Sequence, residues 1–154
     1  MFATCSFIVA KVLLIIASLV CPSKTFRYGK GCVIRYTFFE CKWLCSIYLH
    51  CIKTETQDRF HTHAFNALAF ILTGGYKEAQ KDGIGRDASV TEHSFVAPTV
   101  RYIPRLLNHQ LLQAQPDTIT VLVTSPWSHL WTEETVDGSH VRLLTHGYRE
   151  VMRW

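Results

Sequence analysis

Apolar and polar positions alternate along most of the chain from Cys32 onward. From Phe39 every second residue is apolar: Phe39, Cys41, Trp43, Cys45, Ile47, Leu49 and Cys51. Side chains of an extended strand point to two faces in turn, so this run predicts one continuous apolar face. The other side carries Glu40, Lys42, Ser46 and His50, and Cys32–Lys53 is expected as one long strand or two short ones. Phe60–Leu72 is predicted as the next strand, ended by the turn Thr73-Gly74-Gly75, with Tyr76–Gln80 as the return. Lys81–Arg86, built on two glycines, reads as a loop. Further strands are predicted at Thr91–Ala97, Thr99–Ile103, His109–Ala114 and Thr118–Thr124, the last preceded by the turn Gln115-Pro116-Asp117. The tail from Ser128 is mixed, with His140–Thr145 and Tyr148–Met152 as final strand candidates. Many short strands without long helical periodicity indicate an all-β sandwich or barrel.

The N-terminus breaks this pattern. Phe7–Val20 is apolar except for Lys11 and Ser18. A membrane-spanning helix needs about 20 apolar residues, and a signal peptide needs a positive start and a small-residue cleavage site. This run is short for the first and has no basic residue before Lys11 for the second, although Ala17, Ser18 and Cys21 suggest a cleavage region. The third reading is a hydrophobic helix or strand packed on the barrel. Pro22–Gly31 is a polar, Gly/Pro-marked connection. Residues 1–31 therefore read as a hydrophobic segment with linker and 32–154 as the barrel domain. The expected location is cytoplasmic, with membrane association through residues 2–20 as the alternative.

The 154 residues, 48% hydrophobic and 18% charged, suit one domain with a real core and exclude a disordered chain. The net charge of +4 comes from scattered basic residues such as Lys24, Arg27, Lys30, Arg35, Lys42, Lys53 and Arg59. No concentrated basic face or motif points to nucleic acid, so no nucleic-acid partner is expected. All six cysteines lie between Cys5 and Cys51. Three sit on the predicted Phe39–Cys51 face, where they cannot bridge one another and read as core filling rather than a disulfide set or a zinc site. No phosphate-binding loop, dinucleotide fingerprint or serine elbow is present.

The chemistry-bearing segment is Arg59-Phe60-His61-Thr62-His63. Two histidines at i and i+2 on a strand share a face about 7 Å apart, which suits two imidazoles converging on one ion. Neutral imidazole takes Fe, Zn, Ni or Cu well and Mn more weakly. A third ligand must come from another strand: His109 first, His93 second and His50 third, with His129, His140 and His146 in the tail as lesser candidates. Tyr76, Tyr102, Trp127 and Trp131 read as core with a pocket-lining alternative. Glu78 reads as an outward strand carboxylate, with a pocket acid as the alternative. Asp58 and Arg59 read as solvated charges or as an ion pair at a barrel mouth.

His-x-His, a Gly-Gly turn some eleven residues later, a proline-led loop at Pro104 and then His109 resemble the two cupin motifs over roughly Cys32–Val151. Several stretches are similar to small cupin-like proteins of phage and bacteria of undefined role. They are Ser46–His50, Asp58–His63, Gly74–Glu78, Thr120–Thr124 and the segment around Trp131. The resemblance implies a small antiparallel β-barrel (jelly roll) holding a divalent transition metal (Fe, Zn, Ni or Mn) on His61, His63 and His109. It also implies a small polar substrate and a homodimer. Metal-binding cupins commonly place a glutamate five residues after the second histidine; here that residue is Leu68, with Asn66 the nearest polar one, which leaves a three-histidine set. A metal-dependent enzyme, a non-catalytic binding or structural module, and a membrane-associated accessory protein all remain open on these residues.

Overall fold

The computed structural model describes residues 2–28, 31–53, 59–84, 87–135, 141–145 and 149–153. Helix α1 (Phe2–Val20) precedes β1 (Ser23–Tyr28), β2 (Gly31–Cys41), β3 (Cys45–Ile52), β4 (Ala67–Thr73), β5 (Gly75–Lys81) and β6 (Val90–Val96). Then come β7 (Thr99–Ile103), β8 (Asn108–Ala114), β9 (Thr118–Thr124), β10 (Leu130–Glu134), β11 (Val141–Thr145) and β12 (Arg149–Arg153). One wall is a six-stranded sheet in the order β1-β2-β3-β9-β4-β7; the others are β6-β5-β8 and β10-β11-β12. Every pairing is antiparallel, which fits the all-β expectation.

Two expectations are corrected by the hairpins. Ser23–Tyr28 is not linker: it pairs residue for residue with β2, and the Pro22 carbonyl accepts from Thr37 N. Of the one long strand or two short ones expected over Cys32–Lys53, the chain forms two, so the apolar run Phe39–Cys51 is not one face of one strand either. Cys41–Cys45 closes a hairpin, with Phe39 opposite Ile47 and Cys41 opposite Cys45, and Trp43 projects from its tip 81% exposed. Alternation passes unbroken through a tight turn because the two arms keep the same parity, so periodicity alone hides the reversal. Among the cysteines, Cys51 is buried, Cys5 is exposed and the rest are half-buried, all as free thiols.

The six-stranded sheet has two kinds of face. Outward, Leu49, Cys51 and Ile119 pack beneath Ala10 and Ala17 of α1, with Leu14 and Cys21 beside them. Ala10, Leu14, Ala17 and Cys21 form a stripe at helical spacing, and the two alanines let the helix lie close. Hence the N-terminal run is a packed helix. Its other side stays apolar and exposed at Phe7, Ile8, Val12, Ile15, Ile16 and Leu19. No helix among the described residues is long and apolar enough to cross a membrane.

Inward, two apolar clusters fill the barrel. Val33, Ile52, Ile71, Tyr76 and Ala114 form one; Tyr48, Ala67, Ala69, Ile103 and Leu122 form the other, joined by Phe65, Leu107 and Trp127. Gly74 makes the β4–β5 turn. Its φ of +67° suits glycine, and a Cβ there would fall 2.4 Å from Thr118 Oγ1.

Candidate metal centre

Residues 60–63 do not form the predicted strand, which begins only at Ala67. They run between the two three-stranded sheets and stitch them together. His61 N donates to the His109 carbonyl and His109 N to that of His61, each at 3.0 Å. On the other side, Thr62 N donates to Thr132 O at 2.9 Å and Glu134 N to Phe60 O at 2.8 Å, while His63 N donates to Arg105 O at 3.0 Å. Segment 60–63 is thus fixed by backbone bonds to β8, β10 and the Pro104 loop.

The three imidazoles converge. Ring centroids lie 4.9 Å apart for His61–His63, 4.8 Å for His61–His109 and 4.9 Å for His63–His109. One ring nitrogen from each falls within 4.8 Å of the other two. His61 Nδ1 donates to the Arg59 carbonyl at 2.7 Å, which leaves Nε2 as its lone-pair nitrogen. His109 Nδ1 lies 2.9 Å from Oε2 of Glu78. An N–H there is poorly aligned on that oxygen and has no other acceptor among the described residues, so Nδ1 faces one buried carboxylate. His63 Nε2 and His109 Nε2 are 2.7 Å apart, within hydrogen-bond distance of one another when no ion lies between them.

Burial lowers the pKa of His63 well below the usual imidazole value, and the neighbouring His61, His109, His50 and Arg101 push the same way. Burial lowers His109 too, with Glu78 opposing. Three neutral imidazoles, two of them with the outer nitrogen turned toward an oxygen, form a donor set that fits a divalent metal ion.

Glu78 is fully buried on β5 and faces inward, not outward. Both its oxygens accept from the Arg101 guanidinium, and Oε1 also accepts from Gln80 Nε2 at 3.1 Å. Burial would raise its pKa, but His109 and Arg101 outweigh that and hold it at about 2. Next along β5, buried Lys81 Nζ lies 2.6 Å from Glu134 Oε2, and Asn108 Nδ2 donates to Glu134 Oε1 at 2.7 Å. This pair ties β5 and β8 to β10.

The other candidates lie elsewhere. His93 is exposed on β6, beside Thr91 at 3.3 Å. His50 faces Arg35 in the sheet register and is no member of the triad; burial and Arg35 lower its pKa to about 4. His129 is exposed, and His140 and His146 lie outside the described residues, as does Asp58. Arg59 is not simply solvated: it pairs with Glu133 at 2.9 Å. Leu68 is 42% exposed on the outer face, while Ala67 beside it is buried, so β4 presents no carboxylate to the histidines. Asn66 is structural, accepting from Arg105 N at 2.9 Å. Tyr76 is buried, Tyr102 is 58% exposed and Trp127 packs on Phe65. A groove of about 260 Å³ between the start of α1 and the Gly74 turn contains none of the triad among its lining residues. Arg101, Lys81, Asn108 and Glu134 escaped the sequence reading. Arg101 alone stands as a charge among apolar strand neighbours, whereas Lys81 and Glu134 sit in polar stretches that read like any solvated segment.

No protein-family model matches the chain, and no curated protein matches it. Solved structures do. The chain is similar to a cupin 2 conserved barrel domain protein from Rhodopseudomonas palustris (TM-score 0.57, 14% identity), over 77% of this chain and 81% of that one. The chain has the cupin fold. It is also similar to oxalate decarboxylase from Bacillus subtilis (TM-score 0.51, 16% identity) over 68% of its length, spanning only 27% of that chain. A Streptomyces PAC13 variant with uridine matches at TM-score 0.50 and 8% identity, over 68% of this cupin-fold chain and 75% of that one. At such identities the likeness concerns fold alone.

Proposed function

We propose that this cupin-fold chain binds one divalent transition metal through His61, His63 and His109, and uses it on a small polar molecule. The observation that carries the reading is the convergence of three imidazoles, two of which have their outer nitrogen turned toward an oxygen acceptor. A metal held by three neutral nitrogens keeps open positions and supplies Lewis acidity to a bound oxygen or carbonyl. The chain's own residues orient the imidazoles and surround them with buried side chains. Elemental mass spectrometry of the purified full chain tests the site. About one metal per chain in wild type, absent from His61→Ala/His63→Ala, is the expected result, and its identity among Fe, Zn, Ni and Mn directs the activity screen. A folded wild type that takes up no offered ion refutes the reading.

A second reading, adsorption to a membrane surface, is supported by the outward apolar side of α1 at Phe7, Ile8, Val12, Ile15, Ile16 and Leu19. Full-length protein would then float with phospholipid vesicles, and Ile8→Glu/Ile15→Glu would not. Failure of the wild type to float rejects it.

A further inference from the structure

Among the described residues, the buried carboxylate nearest the triad is not where cupin motifs put one. It stands one contact further out, on β5, where Oε2 of Glu78 lies 2.9 Å from His109 Nδ1. Four donor groups point at Glu78: the two Arg101 Nη, Gln80 Nε2 and His109 Nδ1. The first three leave the carboxylate no freedom to turn. His109 Nδ1 is buried and without a well-aligned partner, and among the described residues the oxygen it faces is this one. Which ring nitrogen of a histidine carries the proton is set by the hydrogen bond the other ring nitrogen makes. A carboxylate at Nδ1 demands Nδ1–H, and so directs the lone pair of Nε2 toward His61 and His63. A histidine side chain free in water prefers the opposite tautomer, so this arrangement needs an imposed acceptor.

We infer that Glu78, locked by Arg101, is a positioning residue that holds His109 as its Nδ1–H tautomer with Nε2 presented to the metal, an inference that rests on the metal-binding reading above. Arg101 acts through Glu78 and touches no imidazole in this role. The network supplies from outside the ligand set the carboxylate that β4 lacks.

The test uses the full-length chain, ¹⁵N-labelled, with long-range ¹H–¹⁵N spectra of the histidine rings, in metal-free form and with Zn²⁺ alone as the probe. Wild type is expected to show His109 as Nδ1–H before any metal is added. In Glu78→Gln the Nδ1–H preference is lost and Zn²⁺ binding weakens by about 10–100-fold, the range for removing such an outer partner of a ligating histidine. Glu78→Asp keeps the charge against Arg101 but draws it back from the ring, and is expected to fold normally while binding Zn²⁺ more weakly than wild type. Co²⁺ substitution gives a second readout: the visible bands of wild type and Glu78→Gln differ in position, which a loss of stability alone would not produce. Metal-free wild type with His109 as Nε2–H overturns the inference, as does Glu78→Gln binding Zn²⁺ as tightly as wild type. Should Glu78→Gln fail to fold, the wild-type tautomer decides alone. A wild type that shows Nδ1–H but takes up no metal refutes the metal reading and keeps the placement of the proton, so the two failures are distinguishable.

Discussion

The buried Lys81–Glu134 pair offers the sharpest energetic test of how the two three-stranded sheets are joined. Its side chains are 6% and 3% exposed and its N–O distance is 2.6 Å. Removing one partner of a buried pair costs about 3–5 kcal/mol, because the other charge is left desolvated and alone. The two halves should not be equal. In Lys81→Met, Glu134 keeps the Asn108 amide at 2.7 Å, so the loss belongs near the lower figure, about 3 kcal/mol. In Glu134→Leu, Lys81 keeps, among the described residues, the face of Phe60 5.0 Å away, so the loss approaches about 5 kcal/mol. Replacing both at once removes both desolvated charges and leaves only the Asn108 amide short of its Glu134 acceptor. It should recover most of the loss, with a net effect within about 2 kcal/mol of wild type. The four proteins of this cycle are compared by urea unfolding of the metal-free chain, followed by far-UV circular dichroism and tryptophan fluorescence, with equal m-values required for the comparison. If either single variant costs under about 1 kcal/mol, or if the two losses simply add in the double variant, the pair does not couple β5 to β10 as described.

Three further outcomes follow from the geometry. His50, held at about 4 by burial and Arg35, stays neutral in the folded chain while the unfolded chain takes up a proton below its ordinary value of 6.5. Stability present above pH 6.5 is therefore lost as the pH falls through 4, by at most about 3 kcal/mol and less because the side chain is part-exposed. The slope of stability against pH in that window should flatten in His50→Gln. Gly74→Ala places a Cβ 2.4 Å from Thr118 Oγ1 at a φ of +67°, and is expected to lower Tm by roughly 5–15 °C, read by thermal denaturation. His93→Ala, altering an exposed β6 histidine outside the triad, should leave metal content unchanged by elemental analysis.

Strand identity was the most legible feature, since β4, β5, β7 and β9 are short segments bounded by turn residues such as Gly74 and Asp117. Parity hid the reversal at Cys41–Cys45, and the polar look of Ser23–Tyr28 hid an edge strand whose outer side has no neighbour to demand apolar residues. The N-terminal run could be read as hydrophobic but not as packed. Only the sheet register, which lays Leu49, Cys51 and Ile119 side by side, creates the surface that Ala10 and Ala17 fit.

The triad shows the same division between what a sequence states and what a fold decides. The spacing of His61 and His63 implied a shared strand face, yet their rings meet although neither lies in a continuous strand. The bridge from His61 to His109, with the backbone bond from His63 to Arg105, does what a strand would have done. Leu68 was the place to look for a carboxylate by motif, and it points away from the histidines. Glu78 was visible as a strand residue of ambiguous direction. Alternation with buried Tyr76 and exposed Lys77 turns it inward. What local periodicity does not encode is the register shift between β5 and β8, which sets His109 opposite Gln80 and so on the same side of the sheet as Glu78. Where a bulge or a bridge, rather than regular alternation, aims a side chain, the residues of a site can be named from sequence while their contacts cannot.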